Sequence, residues 1–370
     1  PVQVDKPLVS LPLVRRTNST SLTNLLANDQ ARARYLKNRT QADLEGRTAS
    51  VDVTNIADTY VISVDSLIVD TGSSNTWIGA DKSYTPTSTS SSTGQIVSVT
   101  YGSGSFVGTE YTDTVTLGDG LTITEQSIGV AALSRGFSGV DGILGVGPVG
   151  LTDGTVGLSG TVPTVTDNLL SQGTIDTEVL AVSFEPATSD SDANGELTFG
   201  GTDSSSTPAP STTPITSTSP ASEYWGIDQD ISYGSSSILS STAGIVDTGT
   251  TLVLIATDAY DKYKSATGGT EDSTTGLLRI SSSQYSSLDT LNFNIGSTTY
   301  SLTPNAQIWP RSLNSAIGGT ADDVYLVVND IGSNSGSGLD FINGYTFLER
   351  FYSDFVLGRR EIVMLATFFC

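Results

Sequence analysis

The heptapeptide Ile68-Val69-Asp70-Thr71-Gly72-Ser73-Ser74 returns 177 residues later as Ile245-Val246-Asp247-Thr248-Gly249-Thr250-Thr251. A second signature follows each copy, Asp141-Gly142-Ile143-Leu144-Gly145 in the first half and Asp340-Phe341-Ile342-Asn343-Gly344 in the second. Two signatures repeated in one order describe a chain of two related halves, and such a repeat constrains a fold before any local motif does. A lone Asp-Thr-Gly in a chain rich in Ser, Thr and Gly is a weak turn signal; its duplication makes it specific. An apolar strand that runs into Asp-Thr-Gly sets a carboxylate at a tight turn, where glycine lets the backbone bend and donate N–H groups to the Asp oxygens. The next hydroxyl, Ser73 or Thr250, can bond the outer oxygen of its own Asp. A two-fold relation between the loops brings Asp70 and Asp247 together. Two carboxylates within a few ångströms cannot both ionise easily, so such a pair shares a proton and titrates as a unit. One member is then a base toward a bridging water and the other an acid toward a carbonyl oxygen.

Composition removes the rival chemistries. The 370 residues contain no His, which excludes a Ser-His-Asp triad, a Cys-His pair and a His-based zinc site. The single cysteine, Cys370, allows neither an intramolecular disulfide nor a thiolate cage. No metal or cofactor is expected. A formal charge of -22 argues against a nucleic-acid partner, and no run of 18 apolar residues suggests a membrane span. Pro1 is followed by no apolar stretch of signal-peptide type, so any secretory signal is expected to have been removed already. Charge is unevenly spread: residues 1–47 hold eight basic and four acidic groups, leaving nine basic and 35 acidic groups for the rest. A cationic leader ahead of an anionic body suits a prosegment that docks at neutral pH and releases in acid.

The texture is that of an all-β chain with short helices. Residues 20–39 are the strongest helical candidate, with Leu22, Leu25, Leu26, Tyr35 and Leu36 spaced among Ala and Arg. Beyond about residue 50, short runs rich in Val, Ile, Thr and Tyr predict strands at Thr59–Val64, Leu67–Val69, Ile96–Tyr101, Thr112–Leu117, Leu180–Phe184, Leu197–Phe199, Gly244–Val246 and Tyr325–Val328. Helices are expected at Val165–Gln172 and Thr257–Ala266, and Ser/Thr-rich surface loops at 85–93, 202–219 and 281–287.

On Val69–Trp77, Val99–Gly104, Asp141–Gly147, the second Asp-Thr-Gly-Thr and Phe341–Arg350, the chain resembles the pepsin-like aspartic proteases, in detail the polyporopepsin type of basidiomycete fungi. The resemblance covers nearly everything after about residue 50. It implies a bilobal β fold with pseudo-two-fold related lobes and a substrate cleft between them. The chain then divides into a prosegment at 1–48, an N-terminal lobe at 49–205 and a C-terminal lobe at 206–370. The implied activity is that of a secreted, monomeric acid endopeptidase acting on proteins or peptides, without a cofactor and made as a zymogen. Asp70 and Asp247 correspond to the dyad, supported by Thr71, Gly72, Ser73, Thr248, Gly249 and Thr250, with the two Thr residues bracing the loops across the axis. Tyr101 corresponds to the flap tyrosine, followed by Gly102 and Ser103, and Trp77 to the indole that steadies its phenol. Ile143 matches an apolar wall of the primary pocket and Thr251 a substrate-binding position. Some fungal relatives hold an Asp where Ser103 stands and accept a basic P1 side chain there; the change implies a preference for bulky apolar residues. Lys37, in Tyr35-Leu36-Lys37, matches the prosegment lysine that pairs with the dyad.

Cleavage of the leader is expected between about 44 and 52; Arg15-Arg16 reads equally as a processing site or as basic surface. The sequons at Asn18 and Asn38 both lie in the leader, so the mature protein would carry no N-glycan. The sequence departs from the family between Tyr60–Val64 and Leu67, where a Gly-x-Pro hairpin is lacking. It departs again at Thr202–Ser211, where Pro208 and Pro210 replace a strand, and at the terminal Phe368-Phe369-Cys370. Two other classes compete: a catalytically silent pepsin-fold binding or inhibitor-like protein, which would normally lose an Asp or the flap Tyr, and a Ser/Thr-rich surface adhesin, which leaves the repeat unexplained.

Overall fold

The computed structural model describes residues 8–17, 24–42, 58–62, 66–118, 120–157, 160–186, 195–202 and 211–365. The expected cleavage region, the sequon at Asn18, the shortened connection at 63–65, Pro208, Pro210 and the last five residues lie outside them. Among the described residues the strands assemble into sheets of thirteen, seven and three strands.

The first half builds most of the large sheet. It contains β1 (Val9–Thr17), β2 (Asp58–Ile62), β3 (Leu67–Asp70), β4 (Trp77–Ile78), β5 (Ser91–Thr100), β6 (Ser105–Gly118), β7 (Leu121–Arg135), β8 (Gly142–Gly145), β9 (Val179–Ser183) and β10 (Gly195–Phe199). The second half adds β11 (Ser211–Pro214) at one edge, then Glu361–Leu365 and Tyr352–Val356, the last pairing with β9. Pro214 sits where its missing N–H interrupts nothing, on an edge strand. The leader strand β1 lies inside this sheet, antiparallel to β10 on one side and to β2 on the other. Although the β2–β3 connection is short, Val61 faces Ile68 and Ile62 faces Leu67 in an antiparallel pair, so the ladder reaches the first Asp-Thr-Gly unbroken.

The second half centres on the seven-stranded sheet, with β12 (Gly226–Tyr233), β13 (Ser236–Val246) and β14 (Val253–Ile255) around the strand Phe341–Asn343. The expected strand at Tyr325–Val328 is two strands, Val324–Tyr325 and Val328–Asp330, in different sheets. Within the expected loop 281–287, Ser282–Tyr285 forms a helical turn because Ser281 and Gln284 cap each other's backbone. The other expected helices appear as α2 (Val165–Ser171) and α3 (Thr257–Thr267).

The leader helix α1 spans Leu25–Ala42. Leu25, Asp29, Arg32 and Leu36 follow one another at steps of four, three and four, which puts them on a single stripe, and all four are buried. Leu25, Ala33 and Leu36 pack into a cluster with Tyr224, Leu252, Leu277 and Trp309 of the second half. Burying the two leucines alone contributes about 4 kcal/mol to holding the helix.

One buried group in the first half has no obvious structural use. Glu110, on β6, is 3% exposed; Ser127 donates to its Oε1, while Oε2 has no hydrogen-bond partner.

Candidate active site

Each Asp-Thr-Gly loop is set by the same strand arrangement. β3 runs parallel to β8, pairing Val69 with Leu144 and Asp70 with Gly145, and β4 returns antiparallel to β8. In the second half β13 runs parallel to Phe341–Asn343, pairing Val246 with Asn343, and β14 returns antiparallel to it. The second repeated signature therefore supplies the strand that clasps each loop. Its last glycine is obligatory in both copies: a Cβ on Gly145 would meet the Ser74 carbonyl carbon at 2.4 Å, and one on Gly344 the Leu252 carbonyl oxygen at 2.2 Å. Backbone bonds from Val146 N–H to the Asp70 carbonyl (2.9 Å) and from Asp247 N–H to the Asn343 carbonyl (3.1 Å) close the match.

The loops brace each other across the axis. Thr71 N–H donates to Thr248 Oγ1 at 2.9 Å and Thr248 N–H to Thr71 Oγ1 at 3.0 Å, while Thr248 Oγ1 donates to the Val69 carbonyl at 2.8 Å. Both carboxyls are buried. Asp70 accepts from Gly72 N–H (2.9 Å) and Ser73 Oγ (2.5 Å), and Asp247 from Gly249 N–H (3.0 Å) and Thr250 Oγ1 (2.6 Å). The hydroxyl after each glycine thus bonds the outer oxygen of its own Asp, as the sequence suggests.

A third group completes the arrangement, and it comes from the leader. Arg32 Nη2 donates to Asp70 Oδ1 at 2.6 Å and to Asp247 Oδ1 at 2.9 Å, and its Nε to Asp247 Oδ2 at 2.7 Å. The guanidinium threads between two glycines: a Cβ on Gly72 or Gly249 would lie 2.4 or 2.6 Å from Arg32 Nη2. Lys37, the residue the resemblance points to, is elsewhere, with its Nζ donating to Ser333 Oγ at 2.6 Å. The reason is geometric. Five residues along an α-helix turn through about 500°, so Lys37 projects roughly 140° away from the Arg32 stripe. Arg39 donates to the Leu151 carbonyl, and the Leu36 carbonyl accepts from Tyr224 Oη at 2.9 Å.

One buried cation faces three buried carboxyls, since Asp29 lies one turn before Arg32 and accepts from Thr251 N–H (3.2 Å) and Leu252 N–H (2.8 Å). All three cannot be ionised together without excess buried charge. Burial alone would raise Asp247, but Arg32, with two of its three bonds there, and Thr250 hold it below the usual carboxylate range. Asp70 is raised: burial outweighs its single bond to Arg32, and the charge of Asp247 adds to the effect. Burial pushes Asp29 up to about 7 against the pull of the two amides and Arg32.

The hairpin between β5 and β6 carries Tyr101, Gly102 and Ser103 over this centre, closed by Tyr101 N–H on the Gly104 carbonyl at 2.7 Å. Gly102, at φ +78°, lies against α1, where a Cβ would stand 2.6 Å from the Ala31 carbonyl oxygen. Tyr101, Trp77 and Ile143 share one buried cluster with Phe106 and Phe137. The Trp77 and Tyr101 rings are 6.4 Å apart, and neither the indole N–H nor the phenol hydroxyl makes an aligned hydrogen bond. The indole and the phenol nevertheless lie close enough for Trp77 to draw the phenol's pKa down. Burial holds the phenol well above its usual value; the negative charge of Asp70 adds to this and Trp77 opposes it. Among the described residues no group of three or more His, Cys, Asp or Glu side chains is arranged to hold a metal ion.

The comparisons with known proteins agree with this geometry. Residues 63–367 match the family model described as eukaryotic aspartyl protease. The chain is 65% identical to polyporopepsin of Irpex lacteus over 332 residues, covering 86% of this chain and 97% of that protein. It is 31% identical to pepsin A of Sus scrofa over 310 residues, or 78% and 74% of the two chains. The crystal structure of the aspartic proteinase from Irpex lacteus superposes with a TM-score of 0.84 at 57% identity, covering 98% of each chain. With a family model spanning most of its length and a doubled Asp-Thr-Gly centre, the chain belongs to the eukaryotic aspartyl proteases and is a pepsin-like aspartic-type endopeptidase.

Proposed function

We propose that this endopeptidase is secreted as a zymogen, with residues 1–48 as prosegment and lobes at 49–205 and 206–370, and that in acid it cleaves proteins between bulky apolar residues. Asp70 and Asp247 are the dyad of this reading. After the leader leaves, the oxygens now bonded to Arg32 face the cleft, and a water between them loses its proton to one carboxylate as the other protonates the scissile carbonyl. The Thr71–Thr248 brace keeps the two loops in register during that exchange. Tyr101, Gly102 and Ser103 would then close on the substrate, with Trp77 steadying the Tyr101 phenol, Ile143 walling the primary pocket and Thr251 contacting the peptide.

The observation that carries the reading is Arg32 bonded to both dyad carboxyls from a helix that fills the space above them. Such an arrangement occupies the space a substrate would need, as expected of a latent enzyme. Incubating the intact chain at about pH 3.5, where carboxylates begin to protonate, with haemoglobin as substrate and N-terminal sequencing of the product, tests it. New N-termini between 44 and 52 with concurrent digestion, absent in Asp70→Asn and Asp247→Asn, are expected; an unchanged Pro1 beside full activity refutes the zymogen.

A further inference from the structure

Seating Arg32 between Gly72 and Gly249 leaves it little positional tolerance, since either glycine lies within van der Waals contact of its Nη2. Something must fix both the rotation and the depth of α1. Leu25 and Leu36 bury against an apolar surface that tolerates sliding. A pair of directed hydrogen bonds does not. Asp29 makes such a pair, one oxygen to each of two consecutive amides, Thr251 and Leu252, in the loop that carries Asp247. It is 5% exposed, on the Arg32 stripe and one turn away.

We propose that Asp29 is the positioning residue of the leader: by occupying the Thr251–Leu252 amide pair it holds Arg32 on the dyad. The inference rests on the prosegment reading above. The charged groups around Asp29 are Arg32 on its own helix and Asp247 and Asp70 on the facing loops, with the two amides as its direct partners. Its linkage sign opposes that of the plug. Because the buried carboxyl of Asp29 binds its proton better docked than free, its hold strengthens as pH falls from about 7 toward the ordinary carboxylate value near 4. The Arg32–Asp247 pair instead weakens as pH falls through the depressed Asp247 value. Asp29 therefore keeps the leader seated through mild acid and leaves the dyad to decide when it lets go.

Fluorescent pepstatin binding to the intact chain, followed from pH 7 to 3 directly after an acid jump, tests the latch. Asp29→Ala leaves two buried amides unpaired, and at least about tenfold more pepstatin-accessible chain at pH 6 is expected. Asp29→Glu, which keeps the carboxyl but not the reach, shifts in the same direction. If Asp29 acts through Arg32, the double variant with Arg32→Ala matches Arg32→Ala alone. All these variants yield the same mature chain once the leader is removed, so equal specific activity afterwards certifies folding. A wild-type profile for Asp29→Ala beside an open Arg32→Ala overturns the inference. A wild-type profile for Arg32→Ala overturns the prosegment reading itself, and this inference with it.

Discussion

Glu110→Gln should make the protein more stable at neutral pH and little different in acid. The carboxyl of Glu110 is buried on β6 with one oxygen lacking a partner, and burial raises it from 4.5 to about 7 despite the bond from Ser127. The folded chain thus binds this proton more tightly than the unfolded chain does. Stability from the group is fully present below pH ~4.5, declines between ~4.5 and ~7, and is gone above that. A rise of ~2.5 pH units at about 1.36 kcal/mol each amounts to roughly 3 kcal/mol. Glutamine keeps the shape and the oxygen that accepts from Ser127 but never ionises. Its unmet amide N–H costs about 1 kcal/mol at every pH, so the variant should be slightly weaker at pH 4 and ahead by about 2 kcal/mol at pH 7.5. For a chain of this size that is about 3 °C in Tm, readable by calorimetry. Measuring both proteins in an Asp70→Asn background prevents self-digestion and cancels in the difference. Two Tm curves that stay parallel from pH 4 to 7.5 would refute the argument, because they would mean that Glu110 titrates alike in folded and unfolded chains.

Other expectations follow from the centre itself. Asp70→Asn and Asp247→Asn should each lower kcat on a peptide substrate by at least about 10³, since neither remaining carboxyl can be both acid and base; initial rates with purified mature protein check this. Thr248→Val removes a buried donor to the Val69 carbonyl and an acceptor for Thr71 N–H, so a stability loss of about 2 kcal/mol in urea titration is expected, with lower kcat at unchanged KM. In a P1-varied peptide library, Phe or Leu should exceed Lys, because Ser103 offers no charge to an ammonium group; Lys ahead of both would contradict the apolar reading.

The doubled Asp-Thr-Gly was legible because a rare hydrogen-bonded turn demands the same residue types twice, and its clasping strand was legible because Gly145 and Gly344 are sterically forced. Strand positions were read well where apolar runs were short and bounded. They were read poorly at Tyr325–Val328, where a continuous apolar run conceals a change of sheet that only tertiary pairing decides. Arg32 was missed for a different reason. Family likeness drew attention to a lysine, whereas the helix had already written its answer at 25, 29, 32 and 36. An Asp and an Arg on the one stripe that also carries Leu25 and Leu36 mark charges meant to be buried, and Lys37 lies off that stripe. Helical phase, read without a template, would have selected Arg32.

The place of β1 gives maturation a mechanical direction. The strand is bonded first to β10, over Val9–Leu13, and then to β2, over Leu13–Thr17, with Leu13 alone paired to both. On the prosegment reading, taking it out would uncover one row of peptide groups on β10 and a second, displaced along the strand, on β2. Uncovered rows of this kind invite pairing by other backbone. If the leader is cut away as proposed, loss of latency would then be a repair of the sheet as well as a release of Arg32, and a return to neutral pH, which restores the charges on Asp70 and Asp247, would not by itself rebuild the ladder.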